Sequence, residues 1–290
     1  MLGRAMYAVF SKAYKHVLAT DIDLNIDWLS PLDVRMYKDC ERVFDEFRPQ
    51  VVLHLAAHTD LEYCEQNQED SWLTNALGTE NIGLLAIKRD CTLVYISTAG
   101  IMDGAQDFYT DFDEPNPLSH YAKSKYYGEI YVKTRVPKHF VFRPGWMMGG
   151  GPSKDKKFVN KIFQQITAGK KELFVVDDKL GTPTYTHDFA NAIQKVLETE
   201  LYGLYNQVCD GNCSRYDVAV EFVRLLGLAD KVKVTKVDSD HFKADYFAPR
   251  PRSEMLLNTK LNARGINFMR DWKVCLAEYA LEYVADIGNN

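Results

Sequence analysis

Tyr121 and Lys125 stand four residues apart in Tyr121-Ala122-Lys123-Ser124-Lys125. On a helix that spacing places both side chains on one face. A neighbouring ammonium favours tyrosinate, so Lys125 is expected to draw the phenol down from its ordinary value of ~10. A phenol so tuned can trade a proton with a hydroxyl or carbonyl oxygen while hydride moves to or from a nicotinamide. Thr98 precedes this pair in Tyr95-Ile96-Ser97-Thr98-Ala99-Gly100, at the carboxyl end of a predicted strand. Ligands of open α/β sheets sit at that end, and a hydroxyl there can steady the charge on a reacting oxygen. Taken singly, a Tyr–Lys pair is common on helix surfaces, and Ser97 and Thr98 could simply cap a turn. Their conjunction makes Thr98, Tyr121 and Lys125 the candidate catalytic set.

The elements that must position these residues are legible as apolar runs. Val17 to Ala19, Val51 to Leu55, Thr92 to Ile96 and His139 to Phe142 are β-branched and aromatic with little alternation. That is the pattern of strands buried on both faces. Helical segments separate them, at Glu41 to Phe47 and Ser71 to Arg89. The rhythm predicts βαβ units and a parallel, doubly wound Rossmann-type α/β sheet. After about residue 145 it changes to three amphipathic helices, around Phe158 to Ile166, Phe189 to Leu197 and Val218 to Leu226, with short strands at Leu173 to Val176 and Tyr205 to Val208. Gly149-Gly150-Gly151-Pro152 is a breaker and a plausible seam. Residues 1–148, joined by about 181–209, form the expected dinucleotide-binding domain. Residues 149–180 and 210–290 form the expected smaller substrate-binding region.

Composition narrows the function classes. With 46% hydrophobic and 26% charged residues, 290 residues suffice for one large α/β domain or two modest ones. The net charge of −5 disfavours nucleic acid as a partner, since phosphate backbones want clustered Lys and Arg. No apolar run approaches the ~20 residues of a membrane span, and Met1 to Lys15 lacks the form of a signal peptide. Cys40, Cys64, Cys91, Cys209, Cys213 and Cys275 contain no CxxC pair, so they are expected to be reduced thiols of a cytoplasmic protein. His54 and His58 have i, i+4 spacing but straddle a strand end, so no metal is expected. The acidic Asp111-Phe112-Asp113-Glu114-Pro115 stretch is expected as a solvated loop over the cleft, not a calcium loop, since EF-hand spacing is absent. Lys154, Lys156 and Lys157 suit a wet helix start or a substrate diphosphate.

Several stretches suit a dinucleotide. Leu55-Ala56-Ala57-His58 follows the second strand, where small residues let a ligand lie close to the backbone. Asn75 lies in the next helix, where a buried amide needs a specific partner. Asp21 ends the first visible strand, a position from which a carboxylate bonds a ribose diol and repels a 2′-phosphate. The expected cofactor is NAD or NADP, leaning to NAD.

Together these segments resemble the extended short-chain dehydrogenase/reductases, and within them the dTDP-4-dehydrorhamnose reductase-like branch that binds sugar nucleotides. The resemblance runs along nearly the whole chain. It is carried by Ala56-Ala57-His58-Thr59, Ser97-Thr98, Asp103-Gly104, the Tyr121–Lys125 segment with Gly128-Glu129, and Arg143-Pro144-Gly145-Trp146. Gly181 to Asp188, Arg250-Pro251-Arg252-Ser253 and Asn258-Thr259-Lys260-Leu261 extend it. It implies reduction of a keto group on a nucleotide-linked sugar, with Thr98, Tyr121 and Lys125 catalytic. It implies that Leu2, Gly3, Asp21, Asp33, Val34, Ala56, Ala57, His58, Asn75, Tyr121 and Lys125 meet the cofactor. Thr98, Trp146 and Arg250 are implied to meet the substrate. Tyr126, Tyr127 and Tyr131 continue the Tyr121 helix and offer a face for a homodimer.

Two departures from the branch stand out. Met1-Leu2-Gly3 resembles the end of the family's glycine-rich loop, with Gly3 as its third glycine. The first strand and most of that loop are thus expected to be missing, and a natural chain roughly 10–15 residues longer is expected. Second, Ala99-Gly100 replaces the branch's Asp-Tyr, so no extra acid/base pair is expected beside Thr98; this favours simple reduction over epimerisation or dehydration. The incomplete loop keeps open a non-catalytic alternative, a nucleotide-binding regulatory protein like the regulatory subunit of methionine adenosyltransferase.

Overall fold

A computed structural model describes residues 1–287. Four parallel strands carry the main sheet: β3 (Val51–His54), β4 (Thr92–Ile96), β5 (His139–Arg143) and β6 (Gly203–Asn206), in the order β6-β5-β4-β3. The sheet is buried on both faces, and β4 shows why its sequence does not alternate. Leu93 and Tyr95 pack with Phe44, Leu85 and Val132 on one side. Val94 and Ile96 pack with Phe140, Phe142 and Phe189 on the other. Helices α2 (Tyr37–Phe47), α3 (Gly78–Lys88) and α4 (His120–Arg135) supply the first layer. Helices α1 (Leu2–Ala13) and α6 (Thr186–Leu197) cover the second, through Ala5, Met6 and Phe10 from α1 and Phe189, Ala190 and Ile193 from α6.

Strands β1 (Ala19–Asp21) and β2 (Leu29–Pro31) pair only with each other among the described residues. β3, for its part, pairs only with β4. The free edges of β1 and β3 line one cavity, and Val51 on that edge is 38% exposed. An added Cβ at Gly3 would meet nothing within 4 Å, and Gly3 lines the same cavity.

The second region packs helices α5 (Phe158–Thr167), α7 (Arg215–Leu225) and α8 (Trp272–Ile287) around Phe163, Phe222, Leu276 and Tyr279. Two long strands, Glu172–Val176 and Lys233–Val237, pair in parallel beside them. Strand β7 (Ser253–Leu256) joins Leu180–Gly181 and Phe108–Tyr109 and brings the chain back across the cleft. Gly149, Gly150 and Gly151 all have positive φ, and a short helix, Gly151–Lys154, begins there.

Local differences have physical causes. The expected helix over Ser71 to Arg89 is interrupted by a π-helical turn at Leu73–Leu77, which carries Asn75; such bulges cluster at functional sites. The acidic run is not simply a solvated loop. Phe112 is 71% exposed, but Asp111 is buried and accepts the backbone N–H groups of Asn206 and Lys260 at 2.7 and 2.9 Å. A carboxylate so placed locks the loop to β6 instead of standing in water, and burial raises its pKa.

Candidate active site

Parallel strands end on one side of a sheet, and their carboxyl ends open into one cleft. Here β3 delivers Ala56, Ala57 and His58, β4 delivers Ser97 and Thr98, and β5 leads to Trp146. These residues line one cavity of about 1690 Å³. Part of that volume lies between the unpaired edges of β1 and β3. Of the sequence-predicted residues, Leu2, Gly3, Asp21, Asp33, Val34, Ala56, Ala57, His58, Thr98, Tyr121, Lys125, Trp146 and Arg250 line it. Asn75 does not. Its amide accepts from His58 N at 2.8 Å and donates to His58 O and Ser124 Oγ, so it fixes the loop that lines the cavity.

Helix α4 is held so that its first turn meets β4. Ser119 caps it by accepting from Ala122 N at 3.1 Å. Tyr95 on β4 donates its hydroxyl to Lys125 O at 2.8 Å. A Cβ at residue 128 would stand 2.6 Å from that hydroxyl, so only glycine lets α4 approach Tyr95 this closely. One turn on, the buried Glu129 accepts from Ser97 Oγ (2.7 Å) and from Arg143 Nε and Nη2 (3.0 and 2.5 Å). This network ties α4 to the ends of β4 and β5 on either side of Thr98.

The electrostatics differ from expectation at Tyr121. Burial pushes its phenol up to about 12, while hydrogen bonding with Thr98 pulls the other way; Lys125 does not lower it. Lys125 is itself desolvated, and burial draws its ammonium down to about 7 against the opposing pull of Glu129. Its Nζ lies 4.2 Å from the Tyr95 ring centroid, and no protein acceptor bonds it among the described residues. Thr98 Oγ1 accepts from Gly100 N at 3.1 Å, so the capping reading is also true.

Also in the lining, Asp33 pairs with Arg35, which also reaches Asp70 at 2.6 Å. Asn81 holds the Val34 and Arg35 carbonyls. Asp21 is exposed at the end of β1, and its carboxylate accepts from Asp23 N. His54 bonds Thr79 Oγ1 and His58 pairs with Asp70; among the described residues no cluster of three metal-ligating side chains occurs.

Elsewhere in the cavity lining, Arg250 is clamped by both oxygens of Glu62 at 2.7 and 2.8 Å. Two further residues escaped the sequence reading. Arg215, first in α7, stacks its guanidinium 3.7 Å over Trp146 and has no ion-pair partner among the described residues. Glu254 on β7 accepts from Trp146 Nε1 at 2.9 Å. Glu254 adjoins the Arg250 to Ser253 segment; no sequence signal singled out Arg215.

The arrangement has known counterparts. The family model described as RmlD substrate binding domain matches residues 1–285. The dTDP-4-dehydrorhamnose reductase of Mycobacterium tuberculosis is 31% identical over 235 residues, 78% of this chain and 75% of the relative. The dTDP-4-keto-6-deoxy-D-glucose reductase of Streptomyces niveus is 28% identical over 281 residues, 96% and 92% of the two chains. Among solved structures, a dTDP-4-dehydrorhamnose reductase from Clostridium acetobutylicum superposes with a TM-score of 0.83 at 33% identity, covering 100% of this chain and 96% of that one. That of Bacillus anthracis, in complex with NADP, gives 0.85 at 28% identity, covering 97% and 95%.

Proposed function

The chain belongs to the RmlD substrate binding domain family, in which dTDP-4-dehydrorhamnose reductases fall, and from that premise we propose how its residues divide the work. It is a nicotinamide-dependent oxidoreductase that reduces a keto group of a nucleotide-linked sugar. The observation carrying the residue assignment is the meeting of Thr98, Tyr121 and Lys125 at the floor of one cavity beside Ala56 and Ala57.

A bound nicotinamide dinucleotide supplies the hydride. The residues fit such a group: Lys125 is a buried donor with no protein partner, suited to a ribose diol, and Ala56 and Ala57 leave the strand end open. Leu2, Gly3, Asp21, Val34 and His58 would line its remaining length. Tyr121 gives its proton to the carbonyl oxygen. Its raised pKa leaves the phenol fully protonated near neutral pH, the correct starting form for a reduction. Thr98 donates its hydroxyl to the same oxygen and steadies the charge that builds there. Trp146 and Arg215 line the sugar and diphosphate side.

NAD is the preferred cofactor in this reading, because Asp21 stands free at the end of β1 while the nearby Arg35 is engaged by two carboxylates. The exposed Leu84, Ile87, Tyr127 and Ile130 on α3 and α4 support a homodimer. A cytoplasmic location follows from the substrate class; among the described residues no helix is long and apolar enough to cross a membrane.

The test is turnover of dTDP-4-dehydrorhamnose with reduced cofactor by wild type and Tyr121→Phe. The variant removes one oxygen and should lose ~10²–10⁴-fold in kcat. Equal turnover by both proteins would refute the role of Tyr121.

A further inference from the structure

Glu254 and Gly100 lie far apart in the chain and meet at the catalytic centre. An added Cβ at Gly100 would stand 3.5 Å from Thr98 Oγ1 and 3.7 Å from Glu254 Oε1. The absent side chain of residue 100 therefore leaves a space bounded by the catalytic threonine on one side and a carboxyl oxygen on the other. Tyr121 lines the same cavity, and its phenol feels the Glu254 charge.

The carboxyl is built into place. Its Oε2 accepts from Trp146 Nε1. The Trp146 ring is covered on one face by Arg215 at 3.7 Å. It lies against the backbone of Gly181, where a Cβ would come within 2.3 Å of the ring. Oε1, by contrast, has no hydrogen-bond partner within the described chain and faces the space left by Gly100. Burial raises the Glu254 pKa, and Arg215 most strongly opposes that rise. A half-enclosed carboxyl oxygen without a donor is costly unless a ligand supplies one.

We propose that Glu254 is a specificity-determining residue whose Oε1 accepts a hydrogen bond from the sugar hydroxyl on the ring carbon next to the reacting carbonyl. This rests on the reductase reading above. Thr98 and Tyr121 hold the carbonyl oxygen. The neighbouring oxygen of a six-membered ring lies about one hydrogen-bond length further on, toward Gly100 and Glu254. The residue thus selects keto sugars bearing that hydroxyl over their deoxy counterparts, because the deoxy sugar leaves a desolvated carboxylate unpaired. It also supplies from β7 the polar group beside Thr98 that Ala99-Gly100 lacks.

The test reads binding instead of turnover, so hydride transfer need not succeed. Calorimetric titrations with NAD present would compare dTDP-rhamnose with its 3-deoxy analogue on wild type, Glu254→Ala and Glu254→Gln. In wild type the 3-hydroxyl ligand should bind ~10–150-fold more tightly, the range for a hydrogen bond to a charged group. The preference should fall to within about twofold in Glu254→Ala and to ~2–12-fold in Glu254→Gln, which retains a neutral acceptor and the Trp146 contact. Glu254→Ala weakening both ligands equally would show that the residue only props Trp146, and would overturn the proposal. So would an unchanged preference in either variant, or no preference in wild type. Failure of both dTDP sugars to bind wild type would overturn the nucleotide-sugar reading together with this assignment.

Discussion

Lys125 makes a sharp prediction, because burial and function pull it in opposite directions. Its folded-state pKa is about 7, against ~10.4 in an unfolded chain. A depressed lysine disfavours the folded state wherever the unfolded chain is protonated, so the penalty is fully present below pH 7 and fades as pH rises toward ~10.4. The separation corresponds to about 5 kcal/mol at full effect. Lys125→Met keeps the stem volume and removes the charge. In denaturant titrations of the cofactor-free protein, the variant should be more stable by a few kcal/mol at pH 6, and its advantage should vanish by about pH 10. Activity should show the converse. If the ammonium is needed to hold the ribose, kcat/KM of wild type should fall about tenfold per pH unit above 7, as the protonated fraction falls. A Lys125→Met protein less stable than wild type at pH 6 would refute the reasoning, for it would mean the ammonium is solvated or paired. A flat kcat/KM profile from pH 6 to 9 would refute the catalytic half.

Other expectations follow from the same geometry. Asp21→Asn should tighten NADP(H) binding about tenfold while changing NAD(H) little, since one like-charge contact is relieved; fluorescence titration checks this, and tighter NADP(H) binding by wild type would reverse the assignment. Arg143→Met should destabilise the fold by ~3–5 kcal/mol, because it strands the buried Glu129 carboxylate without its main partner. Equilibrium denaturation measures that loss, and a cost below ~1 kcal/mol would show the network to be dispensable.

What could be read from the sequence was mostly local. Thr92 to Ile96 and Val51 to Leu55 declare buried parallel strands because neither face touches water, so nothing alternates. The Tyr121–Lys125 spacing needs only helical geometry to share a face. The expected lowering of the Tyr121 phenol failed for a physical reason: spacing says which charges are near, but desolvation depends on everything packed around them. Here burial acts on both members of the pair, raising the phenol and discharging the amine. Asn75 was readable as a buried amide needing a partner, but not that its partners would be His58 and Ser124 instead of a ligand.

The substrate side was least legible, since it is assembled across the chain. Gly100 read alone removes an acid/base candidate from the site. Glu254 read alone is one more charged residue following Arg250-Pro251. Only the return of β7 beside Leu180–Gly181, with Gly181 admitting the Trp146 ring, brings that carboxyl to the place Gly100 leaves open. Trp146 then fixes which oxygen is engaged and which is free. A residue that looks like a loss in one segment is thus the clearance another segment requires. Restoring bulk with Gly100→Tyr should therefore crowd Glu254 Oε1 and act on the same sugar contact as Glu254→Ala, so the two substitutions should not be additive in ligand binding.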